Sequence, residues 1–468
     1  MKEKLQKIND FEWLLPKSVR NDMNVDAKIF GNAKILELLE DEAIEQLANV
    51  ASMPNVLEPV IGLADMHFGY GLPMGAVCAF DVDNGIISSG MCGFDINCGV
   101  NSIRTNLTHD EVKDKMPELI DELFKNIPCG VGAKGKLKLD ISQLNEVLKR
   151  GVNWAVENGY GTKEDIANME ELGCMTGADP GKVSDLAKKR GLSQLGTLGA
   201  GNHFLEIQRV DEIYDEESAK NMGITKKDQI LIMLHCGSRG LGHQVATDYL
   251  QVHEKAVEKY KIKIPDKQLV CAPFNSPEGQ DYFKAMKCAV NYSFTNRLVM
   301  TQWIRESFQN VFKKTWQEMD MKTVYGLCHN VVKLEEHVIN GEKIKTIVHR
   351  KGATRAFPGV PVLIAGSMGT SSYILEGTEE AMKKTFGSSV HGAGRVMSRH
   401  QAIKARKGQE VQKEMEAHGR VVRATNPKVL AEEADTAYKP VDEVIESVVG
   451  AKISKKVVKL IPLGVCKG

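Results

Sequence analysis

The sequence predicts a mixed α/β protein: one large intertwined domain, residues 1–468, with central β-sheets flanked by helices. Three observations lead there. Short apolar runs cut by glycine alternate with segments of helical periodicity along the whole chain. Polar strings rich in His, Asn and Gly stand at the ends of those runs, as loops converging on one site would. No repeat, low-complexity tract or Pro/Gly/Ser linker marks a domain boundary.

Taken in order, residues 35–52 place Ile35, Leu38, Leu39, Ile44 and Leu47 at helical spacing among acidic residues. Residues 56–104 change to runs such as Val60-Ile61-Gly62-Leu63 and Gly75-Ala76-Val77-Cys78-Ala79-Phe80, which read as strands joined by tight loops. Residues 110–126 and 141–158 read as amphipathic helices. Residues 163–192 are charged and less patterned, which predicts a peripheral helical excursion. Leu231-Ile232-Met233-Leu234 is a buried strand ending at His235, and 241–261 and 280–315 are long helices. Residues 360–369 form a strand that runs into a glycine-serine loop.

Composition narrows the function classes. Lys plus Arg equals Asp plus Glu, 61 each, so no global basic footprint points to nucleic acid; any such binding must come from a local patch. No apolar stretch approaches the roughly 18–20 residues of a membrane span, and the charged start Met1-Lys2-Glu3-Lys4 predicts no signal peptide. The ten cysteines form no Cys-x-x-Cys pair and read as reduced thiols. Cys78, Cys271, Cys288 and Cys466 stand in apolar company and suit core packing.

Cys98 differs. The run Gly93-Phe94-Asp95-Ile96-Asn97-Cys98-Gly99-Val100 sets a carboxylate and a thiol three residues apart in a glycine-flanked segment. Asn202-His203-Phe204-Leu205-Glu206, His235-Cys236-Gly237-Ser238-Arg239-Gly240 and Cys328-His329-Asn330 add three histidines at strand ends. Asp95, Cys98, His203, His235 and His329 offer the donors that one or two divalent transition metals favour, and ligand chemistry alone favours zinc over manganese. A lone histidine is more often a core or surface residue than a ligand. Here the set, rather than any member, carries the reading, although its wide spacing lacks the compactness of a zinc finger. His109, His253, His337 and His418 lie among charged residues and read as surface.

His391-Gly392-Ala393-Gly394-Arg395 has another chemistry. Its small residues let backbone amides approach a phosphate, and a helix starting there would put Arg395 and Arg399 on one face. Taken alone, the string is better explained as a simple turn into a helix. Ala365-Gly366-Ser367-Met368-Gly369-Thr370-Ser371-Ser372 offers amides and hydroxyls to a phosphate but lacks the Gly-Lys-Ser/Thr ending of a P-loop. A plain flexible loop explains it equally. Lys343, Lys345, Arg350, Lys351, Arg355, Lys383, Lys384, Arg395, Arg399, Lys404, Arg406 and Lys407 bracket His391 in sequence, a local basic patch suited to a phosphate backbone.

In this order the strings resemble the RtcB family of GTP-dependent RNA-splicing ligases. The resemblance rests on Asp65-Met66-His67-Phe68-Gly69, Gly93 to Val100, Leu198 to Phe204, His235 to Gly240, His329-Asn330, Ala365 to Gly369, His391 to Arg395 and the ending Lys467-Gly468. It implies an RtcB-like fold and a cytoplasmic enzyme of tRNA splicing or RNA repair. Such an enzyme joins RNA 3′-phosphate or 2′,3′-cyclic phosphate ends to 5′-hydroxyl ends, using GTP and two Mn²⁺ ions, with no membrane partner. An archease-type activating protein is a candidate partner. By position, Cys98 would bridge both ions, Asp95 and His203 completing one site and His235 and His329 the other. His391 would become guanylated. Asn202, His203, Phe204, Leu205, Glu206, His329, Asn330, Ala365, Gly366, Ser367, Met368, Ser372, Gly392, Ala393, Gly394, Tyr438 and Lys467 would surround the nucleotide. Arg239, Arg395 and Arg399 would hold RNA phosphates. Cys236 departs from the Ser usual in the family. A binuclear metal phosphoesterase is the rival reading, and a non-catalytic RNA-binding metalloprotein a third.

Overall fold

The computed structural model describes all residues, Met1–Gly468, and two large sheets organise it. One is seven-stranded. Its lateral order is Gln6–Asn9, Glu12–Leu15, Ala27–Phe30, Val60–His67, Met74–Asp81, Glu342–Lys351 and Asn330–Ile339. The other runs Lys322–Cys328, Gly99–Thr108, Gln229–Cys236, Phe204–Ile213, Ser454–Lys467, Ser372–Gly377 and Pro361–Ile364, with Val421–Ala424 pairing in parallel beside Ser454–Lys467. The strand Ser454–Lys467 sits between strands from the middle of the chain, so the second sheet cannot close without the C-terminal segment. Helices flank both sheets, and the result is the mixed α/β class that the alternating sequence pattern predicts.

The two sheets meet at one residue. Strand Lys322–Cys328 pairs in the second sheet and strand Asn330–Ile339 in the first, so the chain changes sheets at His329. A long helix, Pro277–Phe312, lies beneath this junction. Ser276 caps it by accepting from Gly279 N–H, and Pro277 occupies the first turn, where its missing N–H costs nothing. At 36 residues it is about 54 Å long. It is buried on nearly every face, so it carries polar groups into the interior: Asn291, Asn296, Arg297 and Arg305 are all buried.

Several sequence expectations change in three dimensions. The 35–52 helix is two helices, Ala33–Leu38 and Asp41–Ala51, broken where Leu39 turns extended. Residues 163–192 are helical but not peripheral: Asp165 and Glu170 are buried, paired to Arg305 and Lys333. His253 and His337 are core residues, not surface ones. His253 Nδ1 accepts from Ser89 N–H at 3.2 Å, and His337 Nε2 lies 3.0 Å from Glu335. Neighbouring charges misled the sequence reading, because one helix or strand presents charged and buried positions alternately.

No helix is long and apolar enough to cross a membrane.

The Arg305–Asp165 pair is bidentate at 2.7 and 2.8 Å and nearly solvent-free. Thr323 Oγ1–H adds a third bond to the carboxylate at 2.6 Å. Arg305→Met strands Asp165 as a buried unpaired charge, and should cost about 3–5 kcal/mol. Arg305→Met combined with Asp165→Leu should recover much of that loss. Urea midpoints of the three proteins decide it; equal midpoints for wild type and the single variant would reject the pair as a structural element.

Candidate active site

Strand register explains how residues more than two hundred positions apart meet. Cys328 stands opposite Gly99, Gly99 opposite Cys236, His235 opposite Phe204, and Phe204 opposite Lys467. One end of the second sheet therefore presents His329, Cys98, His235, His203 and Lys467 side by side. Two strands start there and three end there, which is why these donor residues stand at or next to strand termini in the sequence.

The donor atoms form an unbroken chain. Asp95 Oδ2 lies 3.0 Å from His203 Nε2, which lies 3.3 Å from Cys98 Sγ. Cys98 Sγ lies 3.2 Å from His235 Nε2, and that atom is 3.3 Å from His329 Nε2. His235 Nδ1 donates to the Asn202 carbonyl at 3.2 Å, so its Nε2 faces the cluster as a bare lone pair. Ser238 N–H donates to Asp95 Oδ1 at 2.9 Å. A side chain at Gly237 would overlap the Asp95 carboxylate, so only glycine permits that approach.

Burial sets the charge states. It drives His235 and His329 well below the usual histidine range, and His203 lower as well. Burial and the nearby Asp95 push the Cys98 thiol well above its usual value. For Asp95, burial pulls upward, but the His203 bond and the nearby Arg239 outweigh it and hold the carboxyl at about 2. Neutral imidazoles, a thiol and an ionised carboxylate in contact are donors that a shared cation could engage.

His391 arrives from a separate two-stranded sheet. Strand Ser388–Val390 pairs with Ala353–Arg355 and delivers His391 next to His329, ring centroids 4.7 Å apart. Asp65, at the end of strand Val60–His67, fixes it: Oδ2 accepts from His391 N–H at 2.9 Å and from Nδ1–H at 2.6 Å. Asp65 is fully buried. Gly394, at φ +73°, packs on the Asp65 backbone where a side chain would overlap it. No helix begins at His391. The helix Arg399–Ala405 starts eight residues later behind the Ser398 cap, so Arg395 and Arg399 do not share a helix face.

Two cavities flank this centre. One, of about 300 Å³, is lined by His67, Asn202, Phe204, His235, the Ala365–Met368 loop, His391 to Arg395, Arg399, Glu433, Tyr438 and Lys467. The other, of about 650 Å³, is lined by Asp95, Arg190, Gln194, Arg239, His243, Arg399 and Glu432, with Val131 and Gly132 at its lip. Of the residues expected around a nucleotide, His203, Leu205, Glu206, His329, Asn330 and Ser372 do not line the smaller cavity. Ser372 Oγ accepts from Gln208 and from Gly366 N–H, and Asn330 ties the Asp95 carbonyl to Gly352 N–H. Arg395 points into the smaller cavity, with its guanidinium bonded to Glu433, Tyr438 and two carbonyls.

Sequence reasoning missed two residues that hold this site. Asp65 stood in a quoted string without a role; a carboxylate ending an apolar strand is the signal that marks it. Arg297 gave no signal at all. Its guanidinium donates to the carbonyls of Asn97, Cys236 and Leu327 and to Asn101 Oδ1, tying together three ligand-bearing segments.

Glu206 is buried beneath the smaller cavity, and burial raises its carboxyl to about 8. A carboxyl raised on folding stabilises the fold fully below its unfolded value near 4.5, and that contribution disappears as pH rises through about 8. Glu206→Gln should therefore match wild type in melting temperature near pH 5 and exceed it near pH 9. Parallel melting curves across pH would refute the assignment.

Comparisons with known proteins agree with this geometry. The family model described as "tRNA-splicing ligase RtcB" matches residues 46–468. Proteins named tRNA-splicing ligase RtcB from Archaeoglobus fulgidus and Thermococcus kodakarensis are each 50% identical to this chain, over 99% of both partners. One from Methanococcus maripaludis is 48% identical over the full length of both. With the family pattern running from residue 46 to the last residue, and about half of all positions shared along whole relatives, the chain belongs to the RtcB family.

Proposed function

We propose that this protein is a GTP- and Mn²⁺-dependent RNA ligase. It would join an RNA 3′-phosphate or 2′,3′-cyclic phosphate end to a 5′-hydroxyl end through a guanylated His391. The observation that carries the reading is the Asp65–His391 pair, set between a cavity lined by glycines, hydroxyls and aromatic rings and a chain of five donor side chains, three of them (Cys98, His203, His235) close enough to share one ion. The relatives' shared name supports tRNA halves as substrate. An archease-type activator is a candidate partner.

The donor set fits metal ions. Imidazole nitrogens and a sulfur within 3.2–3.3 Å of one another are satisfied by cations placed among them. His203 Nδ1 and His329 Nδ1 are also buried without a protein partner. Asp95, Cys98 and His203 would hold one ion, and Cys98, His235 and His329 a second. Bound there, Mn²⁺ would supply neutralisation of phosphate oxygens.

The protein's own groups account for the rest. Nδ1–H of His391 donates to Asp65, so Nε2 keeps its lone pair and serves as the nucleophile. It attacks the GTP α-phosphorus; an N–P bond forms, the bond to the pyrophosphate oxygen breaks, and pyrophosphate leaves. The RNA 3′-phosphate takes GMP from His391. The 5′-hydroxyl oxygen then attacks that activated phosphorus, and GMP departs. A cyclic end must first be opened by water to a 3′-phosphate. Phe204 and Tyr438 offer ring faces to the base, while the Ser367 loop and Gly392–Gly394 offer amides to phosphates. Arg239 and Arg399, on the larger cavity, suit RNA phosphates.

Incubation with α-labelled GTP tests the reading. Wild type should retain acid-labile label, His391→Ala should retain none, and Asp65→Asn should form the adduct about a hundredfold more slowly. Label persisting in His391→Ala would refute the nucleophile. A phosphoesterase, which needs the donors but not His391, would take up no label at all.

Elemental analysis after dialysis against Mn²⁺ tests the metal reading. Cys98→Ala should lose metal because it removes the donor shared by both sites. Cys236→Ala should retain it: that thiol donates to the Leu198 carbonyl at 2.8 Å, on the face of its strand opposite His235. Equal metal content in wild type and Cys98→Ala would reject the shared sulfur.

A further inference from the structure

The basic patch that brackets His391 in sequence is largely neutralised in the folded protein. Arg350 is paired with Glu335, Arg355 with Glu170 and Glu171, Arg395 with Glu433, and Arg406 with Glu414. Lys351 is buried, with its ammonium bonded to the carbonyls of Tyr70 and Leu72. None of these is free to meet an incoming phosphate without breaking a bond it already has.

Cations without a carboxylate partner lie on the other side of the donor cluster. Arg190 bonds only Gln244, and Arg239 only Thr197; both line the 650 Å³ cavity that reaches Asp95. The lip of that cavity, Val131 and Gly132, begins a segment of regular alternation. Lys134, Lys136 and Lys138 are exposed, while Ala133, Gly135, Leu137 and Leu139 turn inward. Leu137 and Leu139 pack against the core, and Gly135 N–H donates to the Ser193 carbonyl at 2.7 Å, which holds the segment against the turn after helix Asp185–Leu192. None of the three lysines makes an ion pair. Lys136 lies over the Trp303 ring at 5.0 Å and bonds Asn126; Lys134 and Lys138 have no partner. Val131, 94% exposed, stands at the head of the row.

We propose that Lys134, Lys136 and Lys138 form a phosphate track that carries a single RNA strand away from the Arg190–Arg239 cavity. The inference rests on the ligase reading, since that reading supplies the strand. In an extended chain, alternate side chains are about 6.5 Å apart on one face, a spacing comparable with successive phosphates of a stretched single strand. The chain bends at Lys136, whose ammonium rests over Trp303, while Lys134 and Lys138 have no partner; the three exposed ammonium groups, anchored from behind by apolar contacts, offer sequence-independent backbone contacts. The cavity supplies arginines at the reacting end, and the track extends the charge outward. A chain of zero net charge thereby gains a local nucleic-acid surface.

The test is RNA affinity against salt, measured on the full chain by anisotropy with a 5′-hydroxyl single-stranded RNA of about 16 nucleotides. Each single-strand phosphate neutralised contributes about 0.7 to the slope of log K against log salt. Lys134→Gln with Lys138→Gln leaves the Lys136–Trp303 packing in place and should make the slope shallower by about 1.4. Adding Lys136→Gln should bring the change to about 2.1. Guanylation of His391 from labelled GTP should be unaffected in both variants, which shows the site intact. An unchanged slope overturns the track. An equal loss on duplex RNA of the same length overturns its assignment to a single strand. If wild type takes up no label, the ligase reading fails while the slope still decides the track.

Discussion

A guanidinium buried without a carboxylate partner holds this site together. Arg297 projects from the long helix Pro277–Phe312 and is fully buried. It bonds the carbonyls just before Cys98, just after His235, and two residues before His329. Burying a lone cation is costly, and here backbone carbonyls and the Asn101 amide oxygen offset that cost. The neighbouring Asn296 does the same for the Gly196–Leu198 turn, through its bonds to Gly196 N–H, Thr197 N–H and the Thr197 carbonyl. The donor cluster is thus fixed from below by one helix rather than by its own loops. A buried arginine also places a fixed positive charge next to a thiol and a carboxylate that a metal site needs ionised.

The second constraint is the junction at His329, where the chain leaves one sheet for the other. The second sheet supplies the donors in lateral order; the first supplies Asp65, and His391 follows Ser388–Val390, a strand of a separate two-stranded sheet with Ala353–Arg355. His391 therefore stands on a different sheet from the donors, yet its ring lies tilted against that of His329, centroids 4.7 Å apart. Sheets are stiff, so this distance is set by core packing on both sides and not by a mobile loop.

Charge is distributed with a division of labour. Arginines and lysines around His391 in sequence are mostly structural, each locked to a carboxylate or carbonyl, and they rigidify the shell of the smaller cavity. The uncommitted cations gather around the larger cavity, beyond Asp95. The cations lining the smaller cavity are thus all paired with carboxylates, whereas Arg190 and Arg239 on the larger one have no carboxylate partner. Net charge, zero over the chain, conceals that asymmetry completely.

The sequence by itself determined the fold class and the chemistry of the donors. Period-two and period-3.6 apolar patterns survive in any context, and Asp95, Cys98, His203, His235 and His329 each announce themselves as polar residues at the ends of apolar strands. It singled out the His391 string only through its resemblance to a family, since three small residues after a histidine are explained as well by a simple turn. Only the tertiary structure decided which residues support these. Asp65 ends one strand and meets a residue 326 positions later; Arg297 lies in the middle of a helix whose other face gives no hint of a partner. Nor could spacing show that Arg350, Arg355 and Arg395 are neutralised by acids far along the chain, or that His253 and His337 are buried. The physical reason is common to all of these. Local sequence fixes backbone periodicity and which atoms are available, whereas pairing, burial and hence charge state depend on what the fold brings alongside.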